Sequence, residues 1–374
     1  MNNLKLFYLA AFDKNKSSGV EKKIITQIDN LSNLNVVVNR IGWTKGNNQV
    51  SCFIEKIKIL FHIISSSRKT KNKTVLYIRG CFNYILCLSL VLLRPCGLKI
   101  AFELQSIQSK EFKNANYSNN LWCLMSILKS RIDSFFVTLI LNSSDAIVSV
   151  TSEINQWYKR LTHNKLNYLV LGNGISTSSL PVSRRPKTME ELNVICVANV
   201  DVWHGVDRFI RGLHEYQSSF HKTPIVFHIV GDGPALPDLR KLVVELNLQD
   251  KVIFHGFKSG KDLDEIFDMC HVAMDALAGS RKGLTELSSL KSREYCTRGI
   301  PFIVSSKDVD FPENWEYMLK IPDDEKPVNM NMLIGFSNRI MADSEHPQKM
   351  HKYAAEYLDW TAKMVVLKDF LNSL

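Results

Sequence analysis

The sequence predicts an α/β protein made of two doubly wound parallel-sheet domains. Apolar runs of three to seven residues alternate with amphipathic helical patterns along the whole chain, the order that builds parallel sheets covered on both faces. At roughly 150 residues per domain, the 374 residues have room for two. Proline and charge then change together near the middle. Residues 1–180 contain one of the 11 prolines, Pro95, and 23 Lys+Arg against 9 Asp+Glu, whereas residues 181–374 hold 24 against 28.

Taken in order, residues 5–11 read as a first strand, followed by a helix with Val20, Ile24, Ile28 and Leu31 on one face. Strands are expected at 35–39, 75–78, 99–102, 146–150 and 168–171, with helical segments between them. The second half repeats the style, with strands at 193–198, 225–230, 252–254, 272–275 and 301–304. Helices are expected at 206–216, 236–246, 263–269 and 287–297. Residues 1–175 are assigned to the first domain and 193–356 to the second. The stretch 176–192, rich in Ser, Pro and charge, reads as the linker.

Composition narrows the class. Hydrophobic residues are 45% and charged residues 22%, which excludes a disordered or low-complexity chain. The eight cysteines lie mostly in apolar segments with no C-x-x-C pair, a pattern of buried thiols in a reducing compartment rather than a zinc site or disulfide framework. The opening MNNLKLFYLAAF reads as a strand rather than a signal peptide. The longest uncharged apolar stretch, near residues 84–93, is about half of the ~20 residues a spanning helix needs. A cytoplasmic location is expected, with peripheral contact at the inner face of the plasma membrane open to the basic half. That charge excess suits a polyanion or anionic membrane, and equally a solvated surface. No helix-turn-helix, zinc-finger or RNA-binding aromatic pattern points to nucleic acid.

Four loops that follow strands carry the candidate chemistry. Ser17-Ser18-Gly19-Val20 opens a helix, where Gly19 allows close phosphate approach or simple capping. Gly231-Asp232-Gly233-Pro234 follows an apolar strand and serves a tight turn or a ligand. In Phe254-His255-Gly256-Phe257 the glycine lets backbone touch a flat ring, or ends the strand. The segment GLTELSSLKSREYCTRGIPFIV (283–304) places Glu286 in an approach loop and Glu294 on the following helix. Both carboxylates can face a ligand whose phosphates rest at that helix start, with Lys291 and Arg293 to neutralise charge.

The second half resembles retaining glycosyltransferases of family 4, which have the GT-B fold of two Rossmann-like domains facing across a cleft. The resemblance rests on VANVDVWHGVDRFIRGL (197–213), HIVGDGPALPDLRKLVVELNLQDKVIFHGF (228–257) and the Glu286-x7-Glu294 segment. SSGVEKK, AIVSVTSEI and LGNGI match more faintly in the first half. Residues 357–374 resemble the terminal helix that returns to the first domain. The resemblance implies that Glu294 holds the ribose and Glu286 contacts the donor sugar. It also implies backbone N–H groups at Ser289, Leu290 and Lys291 on the diphosphate, and Gly231, Gly256 and Phe257 around the base. The family's usual basic pair is replaced by Asn199 and His204, so Arg208, Lys291, Arg293 or a protonated His204 is expected to supply the missing charge.

The implied reaction is front-face transfer, in which the departing phosphate accepts the acceptor's proton, with no metal and no cofactor required. The two D-x-D strings, Asp262-Leu-Asp264 and Asp308-Val-Asp310, are read as structural. Glu103, after the strand at 99–102, is expected to bind or polarise the acceptor hydroxyl. Lys56, Lys58, Arg68, Lys69, Lys71 and Lys73 cluster around apolar residues 57–64, which suits docking on anionic lipid. The donor expected is a UDP- or GDP-linked sugar. The acceptor expected is a saccharide, lipid-linked, in assembly of a capsule, O-antigen or exopolysaccharide. The competing readings are a sugar-nucleotide epimerase on the same architecture and a non-catalytic basic protein that binds membrane or nucleic acid.

Overall fold

The structure is a computed structural model and describes residues 4–12, 19–44, 49–68, 73–80, 84–107, 120–163, 166–184, 186, 188, 190–217 and 223–374. It divides into two units, Met1–Gly172 with Trp360–Leu374, and Asn173–Asp359.

The first unit runs β1 (Lys5–Phe12), α1 (Gly19–Asn33), β2 (Val37–Thr44), α2 (Gln49–Arg68), β3 (Thr74–Arg79), α3 (Tyr84–Leu92), β4 (Leu98–Leu104), α4 (Asn120–Asn142), β5 (Ala146–Ser149), α5 (Ser152–Leu161) and β6 (Asn167–Val170). Its six strands are all parallel, in the order β2-β1-β3-β4-β5-β6. The strands are apolar without alternation because helices cover both faces: Leu6, Phe7, Tyr8 and Leu9 are consecutive and each 0% exposed. β2 begins two residues later than the apolar pattern suggests. Asn35 takes a left-handed φ of 61°, and the Val36 N–H closes the end of α1 on the Leu31 carbonyl at 3.1 Å.

The second unit runs β7 (Leu192–Val197), α6 (Val206–Gln217), β8 (Ile225–Val230), α7 (Leu236–Glu245), β9 (Val252–Gly256), α8 (Lys261–Met269), β10 (Val272–Met274), α9 (Leu290–Arg298), β11 (Phe302–Val304), β12 (Met318–Lys320), α10 (Met330–Met341) and α11 (His346–Tyr353). Its parallel sheet has the order β12-β11-β10-β7-β8-β9. β12 is a three-residue edge strand with only partial burial, too short and too weakly apolar to stand out in the sequence. The stretch 176–192 lies in this unit. Within it the Ser183 N–H donates to the Arg298 carbonyl at 2.9 Å, and the Arg184 N–H to Asp268 Oδ1 at 2.7 Å.

Strand order reverses between β7 and β10 in the second sheet and between β1 and β3 in the first. Loops diverge at such a point, and the opening beyond the strands' carboxyl ends is where ligands bind in this architecture.

A π turn at Ala354–Leu358 ends α11, and α12 (Trp360–Ser373) then packs into the first unit. Met364, Leu367 and Leu371 are each 0% exposed, and with Trp360 they join the core formed by Leu6, Tyr8, Ile24 and Leu31. Lys368 Nζ also caps the turn after α1, donating to the Leu34 carbonyl at 2.9 Å. Burying four such side chains stabilises by roughly 6–12 kcal/mol, comparable with the whole stability of an ordinary domain. A chain ending at Asp359 is therefore expected to keep the second unit folded and to lose the first. Hydrogen exchange should show protection only in 173–359; protection of β1, β3 and β4 at wild-type levels would refute this.

Candidate functional site

The second unit's reversal point gathers the loops of the candidate donor site. Asp275 directly follows β10, is 3% exposed, and is the hub of the arrangement. It accepts hydrogen bonds from Ser289 Oγ at 2.9 Å and the Ala276 N–H at 2.7 Å, and it pairs with Lys291 Nζ at 3.1 Å. Burial pushes its carboxyl up, but Lys291, Ser289 and the Ala276 N–H more than offset this and hold it below the ordinary range. Ser289 also caps α9 by accepting the Lys291 N–H at 3.2 Å. Leu290, the first helical residue, stays exposed.

The approach loop is pinned on two sides. The Leu287 N–H donates to the Lys307 carbonyl at 2.9 Å and the Lys307 N–H to the Thr285 carbonyl at 3.0 Å, so Glu286 sits in a short parallel bridge. The next residues are fixed from the other end of the unit's sequence. Asn173 donates its N–H to Ser288 Oγ at 2.7 Å and its side-chain amide to the Ser288 carbonyl at 2.5 Å. The LGNGI turn thus acts through a residue 115 positions away. Glu286 is half-buried; Glu294, also half-buried, accepts from Arg298 Nε at 2.9 Å through Oε1.

The glycines at the neighbouring strand ends divide into two kinds. Gly231 has φ 120°, and a Cβ there would lie 1.9 Å from the Ala198 carbonyl oxygen. Its N–H donates to the Gly256 carbonyl at 2.8 Å. Gly231 is thus required by backbone packing, whatever else it borders. Gly256 is different: its φ is 65°, yet nothing lies within 4 Å of a built Cβ. Beside it Phe257 is 78% exposed, an aromatic face presented at a strand's carboxyl end. Asn199 is exposed on the loop after β7.

Three residues expected to carry phosphate charge are engaged elsewhere. Arg208 is 2% exposed, pairs with Asp324 at 2.7 Å, and donates to the carbonyls of Lys326, Pro322 and Leu277. Arg293 is 0% exposed and pairs with Asp308 and Asp310, while donating to the Asn173 and Ser289 carbonyls and to Ser292 Oγ. His204 is buried, accepts the Asp201 N–H on Nδ1 at 2.9 Å, and is pushed down to about 3 by burial and by Lys291. It is neutral at physiological pH and supplies no cation. The same contacts account for one D-x-D string, since Asp308 and Asp310 both serve Arg293. In the other, Asp264 pairs with Arg298 at 2.7 Å.

The sequence reading missed Asp275, Trp203 and Lys282. Lys282 Nζ lies 3.7 Å from the Trp203 ring centroid and Lys291 Nζ 5.0 Å from the same centroid, within cation–π range. Arg281 anchors this turn by pairing with Asp207 through two bonds of 2.8 and 2.9 Å and with Glu325. Trp203 and the Lys282 turn were visible only as an odd aromatic before Gly205 and a basic dipeptide before Gly283.

In the first unit, Glu103 does not offer a free carboxylate. It is 2% exposed, pairs with Lys23 at 3.1 Å and Arg79 at 3.2 Å, and accepts from Tyr8 Oη at 3.1 Å and from Gln105 Nε2. Burial favours protonation, but Lys23 and Arg79 outweigh it and lower the carboxyl to about 2. A carboxylate so held is a poor base, and Glu103 ties β1, β3, β4 and α1 together instead. Gly19 is the first residue of α1; Ser17 and Ser18 lie outside the described residues.

Residues 183–357 match the family model of glycosyl transferases group 1. Among curated proteins no sequence matches significantly. Solved structures of low identity share the fold. Sucrose-phosphate synthase from Thermosynechococcus elongatus aligns with a TM-score of 0.67 at 13% identity, covering 99% of both chains. HepE from Anabaena, solved in complex with UDP, aligns at 0.66 and 12%, covering 100% of both. The lipopolysaccharide outer core galactosyltransferase WaaB aligns at 0.63 and 14%, covering 99% of both. The fold is the GT-B fold of these glycosyltransferases.

Two outcomes test the buried assignments. Because the folded Glu103 carboxyl sits near 2 against 4.5 unperturbed, its contribution is complete above about pH 4.5. It is lost as pH falls toward 2, on the order of 3 kcal/mol. Urea unfolding across that range should show this loss in the first unit. Glu103→Gln should start roughly 3–5 kcal/mol less stable at pH 7, with a flatter acid limb; an unchanged limb would remove Glu103 from the account.

Proposed function

We propose that the protein is a retaining glycosyltransferase that moves a sugar from a UDP- or GDP-linked donor to a saccharide acceptor, lipid-linked, in surface-polysaccharide assembly. The observation that carries this reading is the rigid loop-to-helix element at 285–294. Lys307 bridges to Glu286, Asn173 holds Ser288, and Asp275 holds Ser289 and Lys291, so a carboxylate-bearing loop and the helix N-terminus that follows it need little ordering on binding.

In this reading the diphosphate lies at the start of α9, where the first-turn N–H groups and the helix dipole favour negative charge, although the Lys291 N–H is already shared with Ser289 Oγ. Lys291 and Lys282, both drawn to Trp203, take the place of the family's usual basic pair. Glu286 meets the donor sugar, Glu294 accepts from ribose hydroxyls with its remaining lone pairs, and Phe257 stacks on the base beside the open Gly256. The sugar leaves with its bond to phosphate breaking toward the fixed N–H groups and cations. The acceptor oxygen bonds to the anomeric carbon from the same face, and its proton passes to the departing phosphate oxygen. Lipid-linked acceptor and pathway rest on the resemblance and on the basic first half.

Thermal unfolding against UDP, GDP, ADP, CMP and dTDP tests the donor site. One nucleoside diphosphate at ~100 times its Kd should add about 2.7 kcal/mol, a shift of several degrees. Silence across the panel at millimolar concentration would overturn the reading. Lys282→Ala should weaken the active diphosphate about tenfold while changing affinity for the matching nucleoside little. An equal loss for both would place Lys282 away from phosphate. Glu286→Gln should keep the nucleotide shift and lose at least a hundredfold in turnover, with product analysis separating transfer from epimerisation. Wild-type turnover in that variant would take Glu286 out of the catalytic set.

A further inference from the structure

Helix α4 is turned inside out for a helix lying on a sheet. Ser126, Ser130 and Asp133 lie on its buried face beside Val137 and Ile140, and Asp133 accepts a hydrogen bond from Tyr84 Oη on α3. Its outward face carries Leu124 (65% exposed), Leu128 (59%), Ile132 (46%), Phe135 (65%) and Leu139 (43%). At about 100° per residue these five fall within roughly 80° of arc, along a stripe about 22 Å long. Lys129 and Arg131 are exposed on opposite flanks of that stripe. α3 is locked against α4 by the stacked Tyr84–Phe136 rings, 5.4 Å apart, and adds exposed Ile85 and Leu92, with Leu93 exposed just after it.

This is not the apolar segment that the sequence reading chose for membrane contact. Of residues 57–64, Ile59 and Ile63 are buried on the inner face of α2, while Ile57 and Phe61 are exposed.

We propose that the outward face of α4 docks on an anionic lipid surface. The stripe supplies apolar side chains to the acyl boundary, while Lys129 and Arg131 lie where their stems can reach along the stripe and place their charges among phosphates. The first unit's sequence holds 25 Lys+Arg against 10 Asp+Glu, a field that attracts an anionic leaflet. The same charge disfavours a second copy as the occupant, since pairing two stripes would bring Lys129 and Arg131 against their own equivalents. Among the described residues no helix is long and apolar enough to cross a membrane, so α4 lies on the surface rather than through it. The inference does not depend on the donor-site reading.

Flotation of the full chain with vesicles tests it. Vesicles of phosphatidylcholine with 30% phosphatidylglycerol should capture the protein at least tenfold more strongly than phosphatidylcholine alone, with weaker capture as salt rises. The double variant L128E/F135E should lose at least tenfold in capture. K129Q/R131Q, which leaves the stripe intact, should lose severalfold and show less salt dependence. Unchanged melting temperatures would establish that both variants fold. Absence of wild-type capture, or capture of L128E/F135E at wild-type strength, would overturn the proposal. So would a dimer at micromolar concentration that L128E/F135E dissolves, because the stripe would then belong to a second copy. Nucleotide-induced thermal shifts on the same samples read the donor site separately, so failure of one inference is distinguishable from failure of the other.

Discussion

The buried charge of Arg293 is the constraint on which the second unit's candidate site rests. Taking a guanidinium fully out of water is tolerable only if its donors are met, and five acceptor residues from three segments meet them: Asn173, Ser289, Ser292, Asp308 and Asp310. Burial works against the charge, but Asp308 and Asp310 more than offset it and keep the group protonated. The consequence is geometric. The first residue of the unit, the cap of α9 and the loop after β11 are referred to one planar group, and the short approach loop between them has little freedom left.

The same logic runs through the rest of the molecule. Arg208 holds the 322–326 segment to α6, Arg281 holds the turn bearing Lys282, and Glu103 joins β1, β3, β4 and α1. Glu103 lies near the carboxyl end of β4, Arg281 on a turn and Arg208 in the first turn of α6, and each satisfies polar groups from segments distant in sequence. Lys282 and Lys291 both lie beside the Trp203 ring, and Lys291 is held in addition by its pairing with Asp275.

The alternation of strand and helix was readable because apolar runs covered on both faces leave an unbroken signature, and eleven of the twelve strands follow from it. The boundaries of β2 and the short edge strand β12 did not, since a left-handed Asn35 and a three-residue strand leave little periodic pattern. Within the site, Gly231, Gly256, Glu286 and Ser289 at strand ends and loops, and Glu294 on the following helix, were visible as residue types. What could not be read was which ions are occupied. Arg293, Arg208, His204 and Glu103 looked like ligand groups because their partners lie up to 120 residues away in the chain, and a one-dimensional pattern carries no sign of that pairing. Asp275, placed by its sequence inside an apolar strand at 272–275, lies just beyond β10, and nothing in the pattern marks its pairing with Lys291.

The return of α12 to the first unit has a consequence for how the chain is made. Every strand of the first sheet leaves the ribosome before any of the second, yet the core around Leu31 and Ile24 stays open until Met364, Leu367 and Leu371 emerge. The second unit, continuous from Asn173 to Asp359, has its whole sequence available earlier. Synthesis order and completion order are thus inverted. The unfinished apolar groove on α1 must wait through the translation of nearly two hundred residues, at ~5–20 residues per second, and is the surface a chaperone would find first.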